Sequence, residues 1–344
     1  MKGRTIVLDH VGGAEAAAYM VDGQLDDLLI DVSDAPRPGA VFRGICDRPI
    51  KGQGGMMLRL PDGDIAFLRH AKGLRPGQPM LVQVTGYGDD GKAVPVTDRV
   101  LFKSRYAIVT PGKPGLNISR QITDDEMRDT LMGVAVDVHD DRFGLILRSS
   151  CQYGKPEDIA DDIIAMQELA DAVLADADGT KPEALTEGDG PHLLAWREWS
   201  GAAEVVTEAG AFETHGVLDQ IDALAQPDVA LGEGRMYVEV TRALVAVDVN
   251  TGNDTSPGAA LKANLAACRA LPRALRLRGL GGQVAVDFVS MSKAHRKQVE
   301  QSLRGAFRND PIETSLVGWT QMGLFELQRK RERLPLTAII AQLT

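Results

Sequence analysis

In the first hundred residues, hydrophobic positions occur in short runs separated by polar, turn-forming residues. Gly and Pro clusters such as PRPGA, KGQGG and LPDGD stand between the runs. This pattern predicts short antiparallel strands that form a small barrel rather than alternating strands and helices. The predicted strands are Arg4 to Asp9, Ala16 to Asp22, Asp27 to Val32, Ala40 to Cys46, Met56 to Leu60, Asp64 to Leu68 and Met80 to Val84.

The middle of the chain adds two strands and one long amphipathic helix. The strands are predicted at Tyr106 to Thr110 and Phe143 to Arg148. The helix is predicted over residues 156–177, because Pro156 suits a first helical position and apolar side chains recur at helical spacing after it. The acidic stretch from Asp176 to Pro191 indicates a domain boundary or a long surface loop.

After Gly232 the pattern changes to alternating strands and helices, which is typical of an α/β domain. Helices are predicted near Gly258 to Leu271, where Pro272 should stop or kink the helix, and near Lys293 to Phe307. The predicted strands are Met236 to Val240, Leu244 to Val249, Val284 to Phe288 and Gly323 to Leu327.

The composition is that of an ordinary globular protein. The 344 residues are 44% hydrophobic and 25% charged, which suits two or three domains and excludes fibrous, disordered and small disulfide-bonded classes. No apolar run reaches the roughly 18 residues of a membrane helix, and MKGRTIVLDH lacks a signal peptide's apolar segment, so we expect a cytoplasmic protein without membrane contact. The cysteines, Cys46, Cys151 and Cys268, are expected to be buried and unlinked.

Charge is distributed unevenly along the chain. The 38 basic and 48 acidic residues give a net charge of −10. Residues 261–344 hold 14 basic against 6 acidic residues, a balance of +8, which leaves −18 for residues 1–260. A basic C-terminal quarter can attract a polyanion locally. The alternative is a solvated helix face with no partner.

Two strands of the α/β part end in carboxylates. LVAVDVN places Asp248 and Asn250 after one apolar run, and QVAVDFVSM places Asp287 after another. Buried strands that end in this way can bring their carboxylates together at one edge of a sheet. Two carboxylates and a carboxamide suit Mg²⁺, which activates water and neutralises charge on a phosphodiester. The alternative is that these residues only form a turn.

A cationic segment lies between the two acids. KANLAACRALPRALRLRGLGGQ contains Lys262, Arg269, Arg273, Arg276 and Arg278 and no acidic residue. Because arginine forks bind phosphate oxygens, this segment suits a polyphosphate substrate. A basic amphipathic helix on the protein surface is the alternative.

These residues resemble the ribonuclease E/G family of endoribonucleases in order and spacing. The resemblance covers VDVN, KANLAA and LRLRGLGGQVAVDF and extends to YMVDGQLDDLLID, YAIVTPGKPGLNISRQI, FGLILRSS and MGLFELQRKR. It implies that Asp248 and Asp287 hold a catalytic Mg²⁺, with Mn²⁺ as an alternative, and that Asn250 orients Asp287 and the substrate. It also implies internal hydrolysis of single-stranded RNA to 5′-phosphate and 3′-hydroxyl ends, in RNA processing or decay, including that of ribosomal RNA.

The same resemblance implies a multidomain α/β plus β-barrel fold. An RNase H-like domain is expected from residues 1–36 and a shortened second part at 191–225. An S1-type OB barrel that binds RNA is expected at 37–103, inserted in that domain. A 5′-sensor-like domain at 104–190 and a DNase I-like catalytic domain at 226–344 complete the expected organisation.

In the barrel, the resemblance places Phe67 and Lys92 at RNA-contacting positions. Met57 replaces the second aromatic residue, so we expect weaker base stacking there. A core role for Phe67 is the alternative reading from the residue alone. In the cationic segment, the expected contacts with the RNA backbone come from Lys262, Arg276 and Arg278.

The motif FGLILRSS is expected to bind a 5′-monophosphate. Arg148 and Ser149 supply a guanidinium and a hydroxyl group suited to phosphate oxygens, and Ser104 stands where the family has a glycine. The alternative is an arginine that only caps the end of a strand.

The chain lacks the CPxC motif and the small C-terminal domain of longer family members. We therefore expect no zinc, and a monomer or homodimer rather than a zinc-linked tetramer, with single-stranded RNA as partner. Two other functions remain open. One is an RNA-binding or ribosome-assembly factor of the same fold with little or no nuclease activity. The other is a small-molecule phosphohydrolase, which leaves the barrel unexplained.

Overall fold

A computed structural model describes residues 3–31, 36–50, 52, 54–88, 92–254 and 256–343. The chain forms two compact units, one of residues 1–32 with 204–344 and the other of residues 33–203. The first unit is therefore assembled from both ends of the chain, with the second between them in sequence. The whole is a mixed α/β structure with a barrel, as predicted.

The chain begins with a three-stranded antiparallel meander. Asp22 and Gly23 join its last two strands with φ values of 50° and 80°, which a tight Asp-Gly hairpin turn requires. Val7, Ala18 and Leu25 are among the residues that make one face of the meander apolar. Its strands are β1 (Arg4–Val11), β2 (Ala14–Val21) and β3 (Gln24–Ile30).

Five strands of the second unit close into a barrel. They are β4 (Val41–Ile50), β5 (Gly55–Arg59), β6 (Ile65–Leu68), β7 (Pro79–Val84) and β8 (Val94–Thr97). The order β4-β5-β6-β8-β7 returns to β4, which pairs with both β5 and β7. This closure fits the predicted OB-type barrel. Strand β8 is not among the predicted strands, because Pro95 interrupts a very short apolar run.

A four-stranded sheet with two helices follows the barrel. The sheet order is β11-β12-β10-β9, and α1 and α2 share its apolar core. Helix α2 confirms the predicted helix, whereas α1 was not predicted because it buries only Leu131 and Ala135. The elements are β9 (Phe102–Lys103), β10 (Ala107–Pro111), β11 (Gly115–Ile118), α1 (Asp125–Val138), β12 (Phe143–Leu147) and α2 (Pro156–Ala175).

The acidic stretch at residues 176–191 contains a strand. β13 (Glu183–Thr186) pairs antiparallel with β4, and α3 (Pro191–Glu198) follows it. The guanidinium of Arg43 on β4 forms an ion pair with Glu183 at the edge of this pairing. A buried arginine on a distant strand therefore organises a segment whose composition is typical of a loop.

The chain then rejoins the N-terminal meander. β14 (Glu204–Val206) runs parallel to β1 and becomes the fourth strand of that sheet. Helices α4 (Ala211–Thr214) and α5 (Val217–Ala223) share the apolar core of the meander. The carboxylate of Asp9 on β1 accepts a hydrogen bond of 2.9 Å from the N–H of Phe212, which attaches α4 to the sheet.

A six-stranded sheet forms the rest of the first unit, with the order β15-β16-β17-β18-β20-β19. Helices α6 and α7 pack on one face, over a core that includes Val247 and Val286. The four predicted strands correspond to β16, β17, β18 and β20. The elements are β15 (Asp228–Leu231), β16 (Gly234–Val240), β17 (Val245–Asn250), α6 (Pro257–Leu277), β18 (Gly282–Asp287), α7 (Lys293–Arg308), β19 (Thr314–Trp319), β20 (Phe325–Arg329) and α8 (Leu336–Leu343).

Helix α6 extends past its predicted end. Of the stop or kink expected at Pro272, the stop is wrong, because α6 continues through it to Leu277. Proline removes one hydrogen bond from a helix interior. Leu271, Ala274 and Leu275 are buried around this position, and their packing holds the helix together across it.

Two expectations from composition can be compared with the fold. The three cysteines are buried and form no disulfide, and burial raises the pKa of the Cys151 and Cys268 thiols to about 12. Within the described residues, no helix combines the length and apolar character needed to cross a membrane.

Candidate metal and RNA site

Strands β17 and β18 are adjacent and parallel, and each carries one of the acids identified in the sequence. Asp248 pairs with Asp287 in direct register. Paired residues on neighbouring strands point to the same face, and the strands lie about 4.8 Å apart. Both acids are exposed, whereas Val247 and Val286 beside them are buried under the helices. The two carboxylates therefore lie together on the open face of the sheet.

Asn250 extends this group along β17. It follows Asp248 by two residues and is exposed, so its side chain points to the same face. On β16, Tyr237 pairs with Asp248 and Arg235 pairs with Asn250. The Nη1 atom of Arg235 lies 2.7 Å from a carboxylate oxygen of Asp228. The open face thus presents two carboxylates and a carboxamide, with a phenol and a cation beside them.

This set of donors fits a hard divalent cation. Carboxylate oxygens are preferred ligands of Mg²⁺ and Mn²⁺, and Mg²⁺ commonly keeps several waters beside one or two carboxylates. Across the described part of the chain, no three His, Cys, Asp or Glu side chains are grouped to hold a metal ion. An ion at Asp248 and Asp287 would therefore take two protein carboxylates and fill its other positions with water or phosphate oxygens.

A buried carboxamide holds the segment that follows Asp287. Asn264 on α6 is fully buried. Its Nδ2 atom donates to the carbonyl oxygen of Val289 at 2.9 Å, and its Oδ1 atom accepts from the N–H of Val289 at 3.0 Å. Sequence analysis did not assign Asn264 a role. The available signal was a carboxamide among small apolar residues of KANLAA, where a buried polar group needs a partner.

Lys262 lies near the start of α6, on its exposed side. Its Nζ atom is 3.6 Å from Oε2 of Glu233, and both side chains are mostly exposed. Surface pairs of this kind contribute little and are readily exchanged. The ammonium group of Lys262 is therefore accessible to a phosphate from solution.

Arg276 and Arg278 occupy a different environment at the other end of α6. Both are buried. Arg276 forms ion pairs with Asp26 and Asp310, and Arg278 donates to the carbonyl oxygen of Gln226 at 2.9 Å. Because α6 connects the end of β17 to the start of β18, this helix end lies opposite the strand ends that carry the acids. The placement does not support the RNA contact expected of these two arginines, which stays a prediction.

In the second unit, the guanidinium of Arg148 is already bound. Its Nη2 atom donates to Oε2 of Glu198 at 2.6 Å. Its Nη1 atom donates to the carbonyl oxygens of Ser104 at 2.5 Å and of Arg105 and Arg197 at 3.3 Å each. The group expected to receive a 5′-phosphate thus has a carboxylate and three carbonyl groups as partners.

Glu198 is the centre of a small charge cluster. Its carboxylate also lies 2.8 Å from Nζ of Lys103 and 2.7 Å from Nε of Arg197. Although burial raises the pKa of Glu198, the charges of Lys103 and Arg148 outweigh it and hold this pKa at about 2. Ser149 follows Arg148 at the start of a short 3₁₀ helix and is half-buried. The predicted phosphate position therefore holds a carboxylate that is ionised near neutral pH.

In the barrel, Phe67 is half-buried on β6 and pairs directly with Met57 on β5. The ring of Phe67 lies over Gly55, where a Cβ atom would come within 2.3 Å of Cε2. A glycine is therefore needed to seat the ring. Lys92 is exposed before β8. The structure thus places one aromatic ring and a methionine side by side on adjacent strands.

Comparison with known proteins gives one family match and several relatives. The model of the ribonuclease E/G family matches residues 102–200 and 197–332, which is more than half of the chain. The chain is 27% identical to ribonuclease G of Salmonella typhimurium over 76% of its own length and 61% of that protein. It is 27% identical to ribonuclease E of a Nostoc species over 90% of its length and 51% of that protein. It spans only about half to three fifths of these relatives. The chain belongs to the ribonuclease E/G family.

Proposed function

We propose that this chain is an endoribonuclease that cleaves single-stranded RNA internally, with Mg²⁺ or Mn²⁺ held by Asp248 and Asp287. The products would carry 5′-phosphate and 3′-hydroxyl ends, and the activity would serve RNA processing or decay in the cytoplasm. The observation that carries the proposal is the direct pairing of the two exposed acids on adjacent strands of a ribonuclease E/G family chain.

Each residue of the site has its own role in such a reaction. A bound divalent ion lowers the pKa of a coordinated water and neutralises charge on the phosphodiester. Asp248 and Asp287 bind the ion, and the amide of Asn250 can donate to a phosphate oxygen or to Asp287 on the same face. Asn264 acts through the backbone of Val289 and holds the segment after Asp287 in place.

The finer fold assignments belong to the same proposal. We infer an RNase H-like domain from residues 1–36 and 191–225, supported by the parallel pairing of β14 with β1. Helix α3 lies within residues 191–225 but belongs to the compact unit of residues 33–203. The S1-type barrel at 37–103, the sensor-like domain at 104–190 and the DNase I-like domain at 226–344 complete the assignment.

Further RNA contacts are proposed in each of the two units. Phe67 with Lys92 would contact bases and phosphates in the barrel, and the exposed ammonium group of Lys262 supports a backbone contact beside the metal site. Arg148 with Ser149 would bind a 5′-phosphate only if that phosphate displaces Glu198.

An RNA-binding or ribosome-assembly factor with little nuclease activity is the second candidate. It is favoured by the pairing of Phe67 with Met57 rather than with a second aromatic residue, and by the carboxylate already bound to Arg148. Such a protein would bind RNA with a steep dependence on salt and leave it intact.

Cleavage assays on variants of the two acids test the proposal. A 5′-monophosphorylated, AU-rich oligonucleotide is incubated with the wild-type chain, Asp248→Asn and Asp287→Asn, in Mg²⁺ or in EDTA. We expect each substitution, and EDTA, to reduce the cleavage rate by about 100-fold or more, since each removes a ligand or the ion itself. Binding of Mn²⁺, followed by electron paramagnetic resonance, should weaken in both variants.

Glu313→Gln is the matched control, because it removes an exposed carboxylate of the same unit that lies outside strands β17 and β18. It should retain wild-type cleavage and Mn²⁺ binding. Cleavage that persists in EDTA, or in either aspartate variant, contradicts the metal site. Tight RNA binding by the wild type without cleavage would support the second candidate. Turnover of a nucleotide phosphate ester that is faster than cleavage of the oligonucleotide would support a phosphohydrolase.

A further inference from the structure

The exposed side of helix α7 carries a line of basic residues. Four exposed basic residues lie along this helix, at successive spacings of four, seven and four residues: Lys293, Lys297, Arg304 and Arg308. At about 100° of rotation per residue they fall within about 60° of one another around the helix axis. The line is about 22 Å long at about 1.5 Å per residue. We refer to these four residues as the α7 basic stripe.

The α7 basic stripe is not neutralised within the protein. Over the described ranges, no acidic side chain forms a salt bridge with any of its four members. The one acidic residue of the helix, Glu300, accepts a hydrogen bond of 2.6 Å from the indole N–H of Trp319. By contrast, Arg276 and Arg329 form ion pairs with Asp310 in the interior. The stripe therefore has charge available for a partner in solution.

The chemistry of this helix favours a polyanion over a lipid surface or a protein. Its apolar side chains Val299, Leu303 and Phe307 are buried in the core, so no apolar face remains to enter a bilayer. The exposed residues between the cations are Ala, Gln and Gly, and the half-buried Glu300 among them is bonded to Trp319. Protein interfaces are depleted in lysine and enriched in aromatic side chains. A row of cations with polar spacers is typical of a phosphate-backbone contact.

The position of the stripe connects it with the candidate metal site. Helix α7 begins six residues after Asp287, at the edge of the sheet where β18 ends. Lys293 is its first residue and Arg308 its last. The stripe therefore leads from that edge along the outside of the helix layer.

We propose that the α7 basic stripe binds the phosphate backbone of single-stranded RNA on one side of the cleavage position. The inference rests on the proposed function in taking RNA as the ligand, and it adds a second contact region beyond the open face of the sheet. Elsewhere in the chain, residues 1–260 carry a balance of −18, so a local cationic track gives RNA a preferred path.

The test compares two fourfold variants of the full chain. The stripe variant is Lys293→Gln, Lys297→Gln, Arg304→Gln and Arg308→Gln. The control variant removes four exposed positive charges of the other unit: Lys113→Gln, Arg120→Gln, Lys155→Gln and Lys181→Gln. Binding of a fluorescent oligouridine of twelve residues is measured by anisotropy in EDTA at several salt concentrations, so no cleavage is needed. Circular dichroism and urea unfolding check that each variant folds.

We expect the stripe variant to weaken binding at low salt by at least tenfold. The slope of log affinity against log salt should shrink by about 3, since each lost phosphate contact removes about 0.7 on single strands. The control variant should change this slope by less than about 1. Equal changes in the two variants mean that only net charge matters and overturn the proposal, as does an unchanged slope in the stripe variant. A wild type that binds through the stripe but never cleaves RNA overturns the proposed nuclease alone.

Discussion

Glu198 is bound to Arg148, the residue at which a 5′-phosphate is predicted to bind. Its carboxylate bonds to Arg148 and Lys103 at distances of 2.6 and 2.8 Å, as a phosphate oxygen would. Charge-assisted contacts of this geometry are stronger than neutral hydrogen bonds. An RNA 5′-phosphate must therefore compete with an internal anion for Arg148, and we expect the wild type to be nearly indifferent to the state of the RNA 5′ end.

Replacing Glu198 by glutamine should restore sensitivity to the 5′ end. Glu198→Gln keeps the shape of the side chain and removes its charge, so a 5′-monophosphate gains Arg148 without displacing an anion. We expect the ratio of cleavage rates for 5′-monophosphorylated over 5′-hydroxyl RNA to rise by about tenfold, since one charge-assisted hydrogen bond contributes about 1.5 kcal/mol. Asp189→Asn is the control, because Asp189 pairs with Arg197 rather than Arg148. An unchanged ratio would show that Arg148 does not bind the 5′ end.

The charge of Glu198 should also make the stability of the protein depend on pH. The pKa of Glu198 falls from an ordinary 4.5 to about 2 in the folded chain, where the charges of Lys103 and Arg148 outweigh the opposing effect of burial. Its stabilising contribution is complete above pH 4.5 and is lost as the pH falls towards 2. The difference in Tm between wild type and Glu198→Gln should therefore be largest near pH 7 and shrink below pH 4.5. A difference that stays constant over this range would contradict the assignment.

Strand and helix packing together position the candidate metal site. The alternation of valine and acid along β17 and β18 turns Asp248 and Asp287 to the open face, and α6 covers the opposite face. Asn264 of α6 then binds the backbone of Val289, two residues beyond Asp287. Helix α6, which follows β17 in the chain, thus holds the segment that comes directly after β18.

Removing this carboxamide should reduce both stability and metal affinity. Asn264→Ala removes a buried carboxamide and leaves the N–H and C=O groups of the partly buried Val289 without this partner, so we expect a loss of about 2 kcal/mol in the free energy of unfolding. The Mn²⁺ concentration for half-saturation should rise because the segment after Asp287 is no longer held. Urea unfolding and Mn²⁺ titration measure the two effects.

Asn117→Ala is the comparison, since Asn117 is exposed on β11 in the other unit. It should leave both quantities near their wild-type values. Metal affinity that is unchanged in Asn264→Ala, after correction for the unfolded fraction, would limit Asn264 to a purely structural role.

A buried ionic network joins the two ends of the chain into one unit. Asp310 has a fully buried side chain between the guanidinium groups of Arg276 and Arg329. Arg276 also pairs with Asp26 on β3, and Arg333 forms an ion pair with Asp27 beside it. Residues some 250 positions apart in sequence therefore share one network. Burying one member without its partners is costly, so the network holds the N-terminal meander and the six-stranded sheet in a single arrangement.

Asp310→Asn should destabilise the first unit strongly. Two buried guanidinium groups would lose their shared counter-charge, and breaking such a pair costs about 3 kcal/mol or more. Glu313→Gln, three residues away and exposed, should change the free energy of unfolding by no more than about 0.5 kcal/mol. Urea unfolding of the three proteins measures the difference. Equal stability of Asp310→Asn and wild type would mean that the network adds no stability.

Features that depend on local sequence patterns were predicted more accurately than features that depend on tertiary contacts. The pairing of Asp248 with Asp287 followed from two short motifs, because strand alternation sets which side chains share a face. Helix α6 was predicted to stop or kink at Pro272, because a proline is unfavourable locally, whereas packing around Leu271 and Leu275 carries the helix through this residue. Helix α1 was missed because only Leu131 and Ala135 are buried along it, so few apolar positions mark the side that faces the core.

The sequence did not predict which basic side chains are buried and which are exposed. Arg276 and Lys297 both lie on amphipathic helices of the α/β part of the chain. Arg276 is buried because Asp26 and Asp310 reach it from distant segments, whereas Lys297 faces solvent on α7. Periodicity therefore predicted most of the longer strands, and the motifs at two strand ends carried the acids and the resemblance to the family. Which charges are neutralised and which remain available depended on contacts between remote segments, because a charge can be buried only where folding brings an opposite charge or hydrogen-bond acceptors to it.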